Sequence, residues 1–152
     1  QYVSIDDAAI KRAAAEISDK DLDRLSSPDS FDKEIHYVDT SSPEGIERTA
    51  QYQLVVDALN FCFWPDSELE YEHLSRGVKA ALQADPHALD ADRLAVITGE
   101  GVRSLISGWK REVPLQEERA RLLREVGQGL LAHFGGKASA LVEAAGGSAV
   151  TL

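Results

Sequence analysis

Leu54-Val55-Val56-Asp57-Ala58-Leu59-Asn60-Phe61-Cys62-Phe63-Trp64-Pro65 is the most apolar run of the chain. With Gln51-Tyr52-Gln53 in front of it the run has helical length, and an element apolar nearly all round is one buried on every side. Residues three or four apart share a helix face, so Gln53, Asp57, Asn60 and Trp64 fall into one stripe on an otherwise apolar cylinder. Burying a carboxylate and an amide is costly unless each is hydrogen-bonded, so either another part of the chain satisfies them or a ligand does. Asp57 and Asn60 therefore have two readings at this point, a ligand contact or a structural group that caps a helix or holds an arginine.

The flanks of this run carry clear punctuation. Ser42-Pro43-Glu44 supplies a cap, a first-turn proline and an acid near the positive helix end, so a helix is predicted over 44–63. Trp64-Pro65 stops it, because the residue before proline is pushed out of helical conformation. Upstream, Ser4 and Asp7 read as a capping box for a first helix ending near Ser18, with Ile5, Ile10, Ala13, Ala14 and Ile17 as its apolar face. A short second helix is predicted over 19–25. The stretch 26–42 is rich in Ser, Asp and Pro without a sustained period, a loop of unusual length, and long ordered loops usually carry function. Inside it Ile35-His36-Tyr37-Val38 forms an apolar island around a histidine, which by chemistry alone reads as a packed loop residue or a ligand contact.

Downstream, 68–84 carries a helical stripe of Tyr71, Leu74, Val78, Ala81 and Leu82, ended by Asp85-Pro86. Asp90 is read as the cap of a short helix with Leu94 and Ile97, and Thr98 as the cap of another with Val102, Leu105 and Ile106, ended by Gly108. An amphipathic helix is predicted over 114–134, with Leu115, Leu122, Val126, Leu130 and Phe134 inward and Glu117, Glu118, Arg121 and Glu125 outward. Gly135-Gly136 ends it. A last helix spans 137–145 and stops at Gly146-Gly147, and 148–152 reads as the first turn of one more. Neither period-two alternation nor a hairpin turn occurs, so the predicted fold is all-α.

One hundred and fifty-two residues with 43% hydrophobic content is the size and composition of one globular domain. A formal charge of −10 argues against direct nucleic-acid binding, which draws on clustered Lys and Arg. A free nucleotide suits such a surface better. Cys62 is the single cysteine and is expected as a buried, inert thiol, which excludes an internal disulfide and fits a reducing, cytoplasmic setting. No signal pattern or membrane-spanning apolar run is visible. His36, His73, His87 and His133 are scattered, so no metal site is expected, and neither a phosphate-cradling glycine loop nor a nucleophile elbow is present. Arg119, Arg121 and Arg124 read as surface ion pairs or, less simply, as a phosphate contact.

Several words of the sequence occur together in a distinctive order: Ile35-His36-Tyr37, Asp57-Ala58-Leu59-Asn60-Phe61-Cys62-Phe63-Trp64-Pro65-Asp66, Tyr71-Glu72-His73-Leu74-Ser75-Arg76-Gly77, Asp85-Pro86-His87, Asp90-Ala91-Asp92-Arg93-Leu94, Pro114-Leu115 with Glu117-Glu118-Arg119, and Phe134-Gly135-Gly136-Lys137-Ala138-Ser139. Through them the chain resembles the queuosine salvage family, the queuosine 5′-phosphate N-glycosylases, over nearly its whole length. The resemblance implies an all-helical fold like that of the DNA glycosylases. It also implies hydrolysis of queuosine 5′-phosphate to queuine and ribose 5-phosphate, so that queuine re-enters tRNA modification, with no cofactor. His36 would contact the queuine base; Asp57, Asn60 and Trp64, taken from the polar stripe on the central helix rather than from the resemblance, are the further candidate substrate-binding residues.

The sequence departs from the family in one respect. The family's catalytic aspartate lies in a Phe-Tyr-Lys-Arg-Ala-Gln-like segment followed by an Asp-Leu-Trp-like one, and neither occurs here. The resemblance thus implies that 1–152 is the N-terminal half of a single helical domain, with the catalytic residue downstream of Leu152, in a C-terminal half that belongs to a longer chain or is a separate chain. Two other classes of function stay open on the sequence, a non-catalytic queuine-binding module and a helical interaction subunit in which Asp57 and Asn60 only pack.

Overall fold

In a computed structural model residues 4–106, 108–148 and 150–151 are described, and among them there are eight α-helices, one short 3-10 turn and no strand. The chain divides into two compact units, Gln1–Asp32 and Lys33–Leu152.

The first unit holds α1 (Asp7–Glu16), α2 (Asp19–Ser26) and the 3-10 turn Pro28–Ser30. The cap of α1 is Asp6, whose carboxylate accepts from the backbone N–H groups of Ala8 and Ala9 at 2.9 and 3.0 Å, rather than Ser4. One carboxylate oxygen placed there meets two of the orphan donors of the first turn, which a more distant serine cannot. Ser18 and Asp21 form a reciprocal capping box on α2. Neither helix buries a residue, and Ile5, Ile10, Ile17, Leu22 and Leu25 all stay exposed.

The second unit is a helical core built around α3 (Pro43–Leu59). Ser42 caps it through Gly45 N–H at 3.0 Å, and Pro43 occupies the first turn. Its buried side, Tyr52, Val55, Val56 and Leu59, packs with Leu74, Val78 and Leu82 of α4 (Tyr71–Ala84), Leu94 of α5 (Ala91–Leu94), Val102 and Leu105 of α6 (Gly99–Leu105), and Ala120 and Leu123 of α7 (Gln116–His133). Each such large side chain removed from water contributes about 1.5–3 kcal/mol. A smaller cluster joins Ala91, Leu130 and Ala138 and draws in α8 (Ala138–Ala144).

Two close approaches need glycine. A Cβ at Gly127 would lie 2.4 Å from Ala95 N and 2.5 Å from Ala91 O, so α7 touches the backbone of α5 there. At Gly45 it would lie 2.5 Å from the Asp39 carboxyl carbon, so the 33–42 loop and the first turn of α3 share that space. Between α3 and α8, Glu47 caps the incoming helix, its two carboxylate oxygens accepting from Ala138 N–H and Ser139 N–H at 2.9 Å each.

Several predicted details differ from the structure. The central helix ends at Leu59, not near residue 63, with Asn60 as its C-cap. The reason is Arg119, fully buried rather than a surface ion pair, which hydrogen-bonds the carbonyl oxygens of Leu59, of Phe61 at 2.6 Å and of Cys62 at 3.1 Å. Carbonyls satisfied from outside need no further helical turn, and the chain leaves the helix with Cys62 in the left-handed region at φ 40°. Cys62 is accordingly exposed, not buried. Nor is α3 buried on every side: Ile46, Asp57 and Asn60 face outward.

Leu115 does not pack inward either. It is the residue before α7, at φ 53° and half exposed, and it turns Pro114 O toward the Arg119 side chain, whose Nε donates to it at 2.8 Å. α4 starts at Tyr71 rather than near Glu68, and Leu105 ends α6 before Gly108. Thr98 caps α6 as expected, through Gly101 N–H. Asp90 precedes α5 but makes no side-chain cap, because its carboxylate is engaged by His87 and Gln51. Gly135 and Gly136 end α7 at φ 61° and 78°. The predicted last turn over 148–152 includes Ala149 and Leu152, outside the described residues.

Candidate functional site

The loop that carries His36 is held by side chains of α3 and α4, with Tyr37 packed against the core. Lys79 Nζ donates to the carbonyl oxygens of Lys33 at 2.6 Å and Glu34 at 3.1 Å, and Arg76 adds a bond to Glu34 O at 3.3 Å. Tyr52 Oη lies 3.3 Å from Ile35 O. Further along, Thr49 Oγ1 accepts from Asp39 N–H at 2.9 Å and donates to Asp39 O at 3.0 Å. Residues 35–39 are half-buried as a result. His36 Nε2 meets the hydroxyl of Tyr71, the first residue of α4, at 3.0 Å.

Asp57 lies on the open side of α3, one turn after Gln53. Both belong to a groove of about 310 Å³ between α3 and α8, whose walls are Ile46, Ala50, Leu54, Ala138, Leu141 and Val142. The polar groups along it are Thr40, Thr49, Gln53 and Asp57. No hydrogen bond or ion pair engages the Asp57 side chain among the described residues, and loss of surrounding water pushes its carboxyl pKa above the ordinary value. The same charge reaches Tyr71, whose pKa is raised by burial first and by Asp57 second. Tyr71 thus stands between the two, hydrogen-bonded to His36 and within reach of the Asp57 charge.

The two remaining predicted residues lie beyond the helix end. Asn60 is exposed at the C-cap, its N–H donating to Asp57 O at 3.3 Å, and Trp64 is 79% exposed. Neither lines the groove that Gln53 and Asp57 share. Tyr71 is the residue the sequence reading assigned to packing and the structure places against His36. Its signal was its position at the head of the Tyr71-Glu72-His73-Leu74 word, at the start of a helix rather than inside a stripe.

A larger, more open cleft of about 1010 Å³ lies at the start of α7. Its charges are already matched in part, with Arg111 on Asp66 at 3.0 Å and on Glu68 at 2.6 Å, and it contains none of the predicted site residues. The other arginines near α7 are also engaged: Arg121 pairs with Glu118 and Glu125, and Arg124 donates to Ile97 O at 2.7 Å. Among the described residues no group of three His, Cys, Asp or Glu side chains could hold a metal, and no helix is long and apolar enough to cross a membrane.

An apolar groove with an amide and a carboxylate along it has the composition of small-molecule pockets in general, and His36 does not line it. Its walls are aliphatic, and Gln53 and Asp57 set hydrogen-bonding groups along them.

Residues 37–152 match the model of the queuosine salvage protein family, and the chain belongs to that family. It is 37% identical to the queuosine 5′-phosphate N-glycosylase/hydrolase of Dictyostelium discoideum over 156 residues, covering 100% of this chain and 48% of that protein. The Sphaerobacter thermophilus protein of the same name is 37% identical over 150 residues, 92% of this chain and 45% of that one. The Bos taurus protein is 30% identical over 150 residues, with 88% and 42% covered. The chain spans about half the length of the curated relatives it matches.

Proposed function

We propose that residues 1–152 are the base-binding half of a single helical domain that hydrolyses the N-glycosidic bond of queuosine 5′-phosphate and releases queuine for tRNA queuosine salvage. The observation that carries this reading is the unpaired Asp57 carboxylate at an apolar groove, in a chain 37% identical to two proteins named for that reaction. Cleavage of such a bond passes through a cationic, oxocarbenium-like sugar and needs an anion near the anomeric carbon together with donors for the departing base. In this reading the anion is a catalytic aspartate of the family's C-terminal half, and this half grips the base.

His36 meets the base edge, Asp57 accepts from its N–H groups, and Asn60 and Trp64, exposed past the end of α3, close on the ligand when the second half is present. Partners are then the nucleotide and the C-terminal half, with no direct nucleic-acid contact and no cofactor. A cytoplasmic setting suits the free, exposed Cys62 thiol.

The test is His36→Ala in the protein carrying both halves, assayed for queuine release by chromatography. One hydrogen bond lost in a desolvated pocket is worth about 1–3 kcal/mol, so catalytic efficiency should fall by roughly ten- to a hundredfold with Tm nearly unchanged. Full efficiency in the variant would remove His36 from the site.

A further inference from the structure

We infer that Gln53 is a specificity-determining residue, its side-chain amide paired with the Asp57 carboxylate to read a base edge on which two adjacent N–H groups are followed by a carbonyl, the edge of a guanine-type ring. The inference rests on the proposed reading of the groove as the seat of the base, and it adds to that reading the residue that meets the carbonyl.

Asp57 follows Gln53 by one turn of α3, so the two side chains are neighbours on one helix face, with about 5–6 Å between Cβ atoms. Both line the groove beside α8, and among the described residues neither side chain has a hydrogen-bond or ion-pair partner. The other polar groups of the groove are placed differently. Thr49 Oγ1 is committed, accepting from Asp39 N–H at 2.9 Å and donating to Asp39 O at 3.0 Å, and Thr40 belongs to the loop before α3. What α3 leaves uncommitted in the groove is one amide and one carboxylate, side by side among aliphatic walls that include Ala50, Leu54 and Leu141.

A carboxylate only accepts, so the ligand edge that meets Asp57 must donate, and two oxygens suit two adjacent N–H groups. The groove takes part of the water from that carboxylate and the described residues supply no donor in return, so a ligand bringing two N–H groups restores what burial removed. Gln53 carries both a donor and an acceptor and turns whichever is wanted. On a guanine-type edge the group next to the exocyclic amine and the ring N–H is the carbonyl oxygen, which takes the amide N–H. An adenine-type edge has a bare ring nitrogen where the guanine type has N–H, and its lone pair would face the carboxylate oxygens. The pair therefore selects twice, the carboxylate by repelling the adenine type and the amide by adding a bond to the guanine type. Queuine, a substituted 7-deazaguanine, has the guanine-type edge.

The experiment is isothermal titration of the protein carrying both halves with 7-deazaguanine, with 7-deazaadenine, and with 7-deaza-6-thioguanine, which keeps both donors and puts sulfur, a weak acceptor, in place of oxygen. Wild type should bind 7-deazaguanine about tenfold more tightly than the thio probe, the worth of one hydrogen bond, and 7-deazaadenine more weakly still. Gln53→Leu should lose about tenfold toward 7-deazaguanine and nothing toward the thio probe, a coupling that a merely structural glutamine would not show. Equal binding of the oxo and thio probes by wild type overturns the inference without any variant, so a Gln53→Leu protein that fails to fold does not protect it. Absence of 7-deazaguanine binding, or an equal loss toward both probes in folded Gln53→Leu, overturns it as well. Queuine release is followed alongside by chromatography. Release by wild type with unaltered affinities in Gln53→Leu removes Gln53 from the site and leaves the proposed function standing, whereas the expected binding pattern without release keeps Gln53 as a reader of the base and removes the hydrolysis.

Discussion

Among the described residues Asp57 is a carboxylate without a partner, on a helix whose opposite side is core. Its pKa is raised by loss of surrounding water, so the folded state holds its proton more tightly than the unfolded chain does. The sign follows: below the ordinary carboxylate pKa the group is neutral in both states and costs nothing, and as pH rises through the folded value the unfolded state becomes favoured. At neutral pH Asp57 therefore works against stability. Asp57→Asn should hold or raise Tm at pH 7, and the difference from wild type should fade as the pH is lowered through the carboxylate range, a pair of thermal melts that a structural ion pair would reverse. Ligand binding should weaken in the same variant. A carboxylate kept at a cost to the fold is the pattern of a working group, and these melts tell that case from a capping or salt-bridging acid.

At the scale of elements the decisive contact is between α7 and the chain leaving α3. Arg119 bonds four carbonyl oxygens, those of Pro114, Leu59, Phe61 and Cys62, and its guanidinium lies over the rings of Phe61 and Phe63 at 4.4 and 5.6 Å from their centroids. Arg119→Ala leaves those carbonyls without donors and opens a cavity, so stability should fall by about 3 kcal/mol or more in a denaturant titration. Arg119→Lys should recover only part of it, because an ammonium cannot span the fork.

This residue also marks where the sequence stopped being legible. Helix order and two of the four predicted N-caps, Ser42 on α3 and Thr98 on α6, followed from period and punctuation. The end of α3 did not, since the signal that terminates it sits 60 residues away in sequence. A local pattern cannot announce that a distant arginine will take its carbonyls. Buried Arg119, left-handed Cys62 and left-handed Leu115 are all consequences of that one long-range contact, and each was misread locally for the same reason. At the site, His36 and Asp57 were visible as a lone imidazole and a carboxylate in an apolar run. Tyr71 was hidden because a helical stripe accounts for any tyrosine equally well.

For the whole molecule, the relevant fact is that the relatives are about twice as long. The groove beside α3 has a wall on the α8 side and opens past Asp57, and on the proposed reading the missing anion is supplied from beyond this half. The 1–152 chain alone should bind queuine measurably by isothermal titration yet release none from queuosine 5′-phosphate, while the protein with both halves should turn it over. Turnover by the isolated chain would move the catalytic anion to Asp57. Absence of both binding and turnover, with turnover restored by the second half, would place base recognition across the two halves rather than in this one.

The turn that Arg119 shapes puts the one thiol of residues 1–152 outside the core, three residues past the last residue of the helix that bears Asp57. A maleimide dye attached at Cys62 of the 1–152 chain needs no engineered cysteine. It would report directly on the approach of a ligand or of the second half, turning a folding detail into an attachment point for fluorescence.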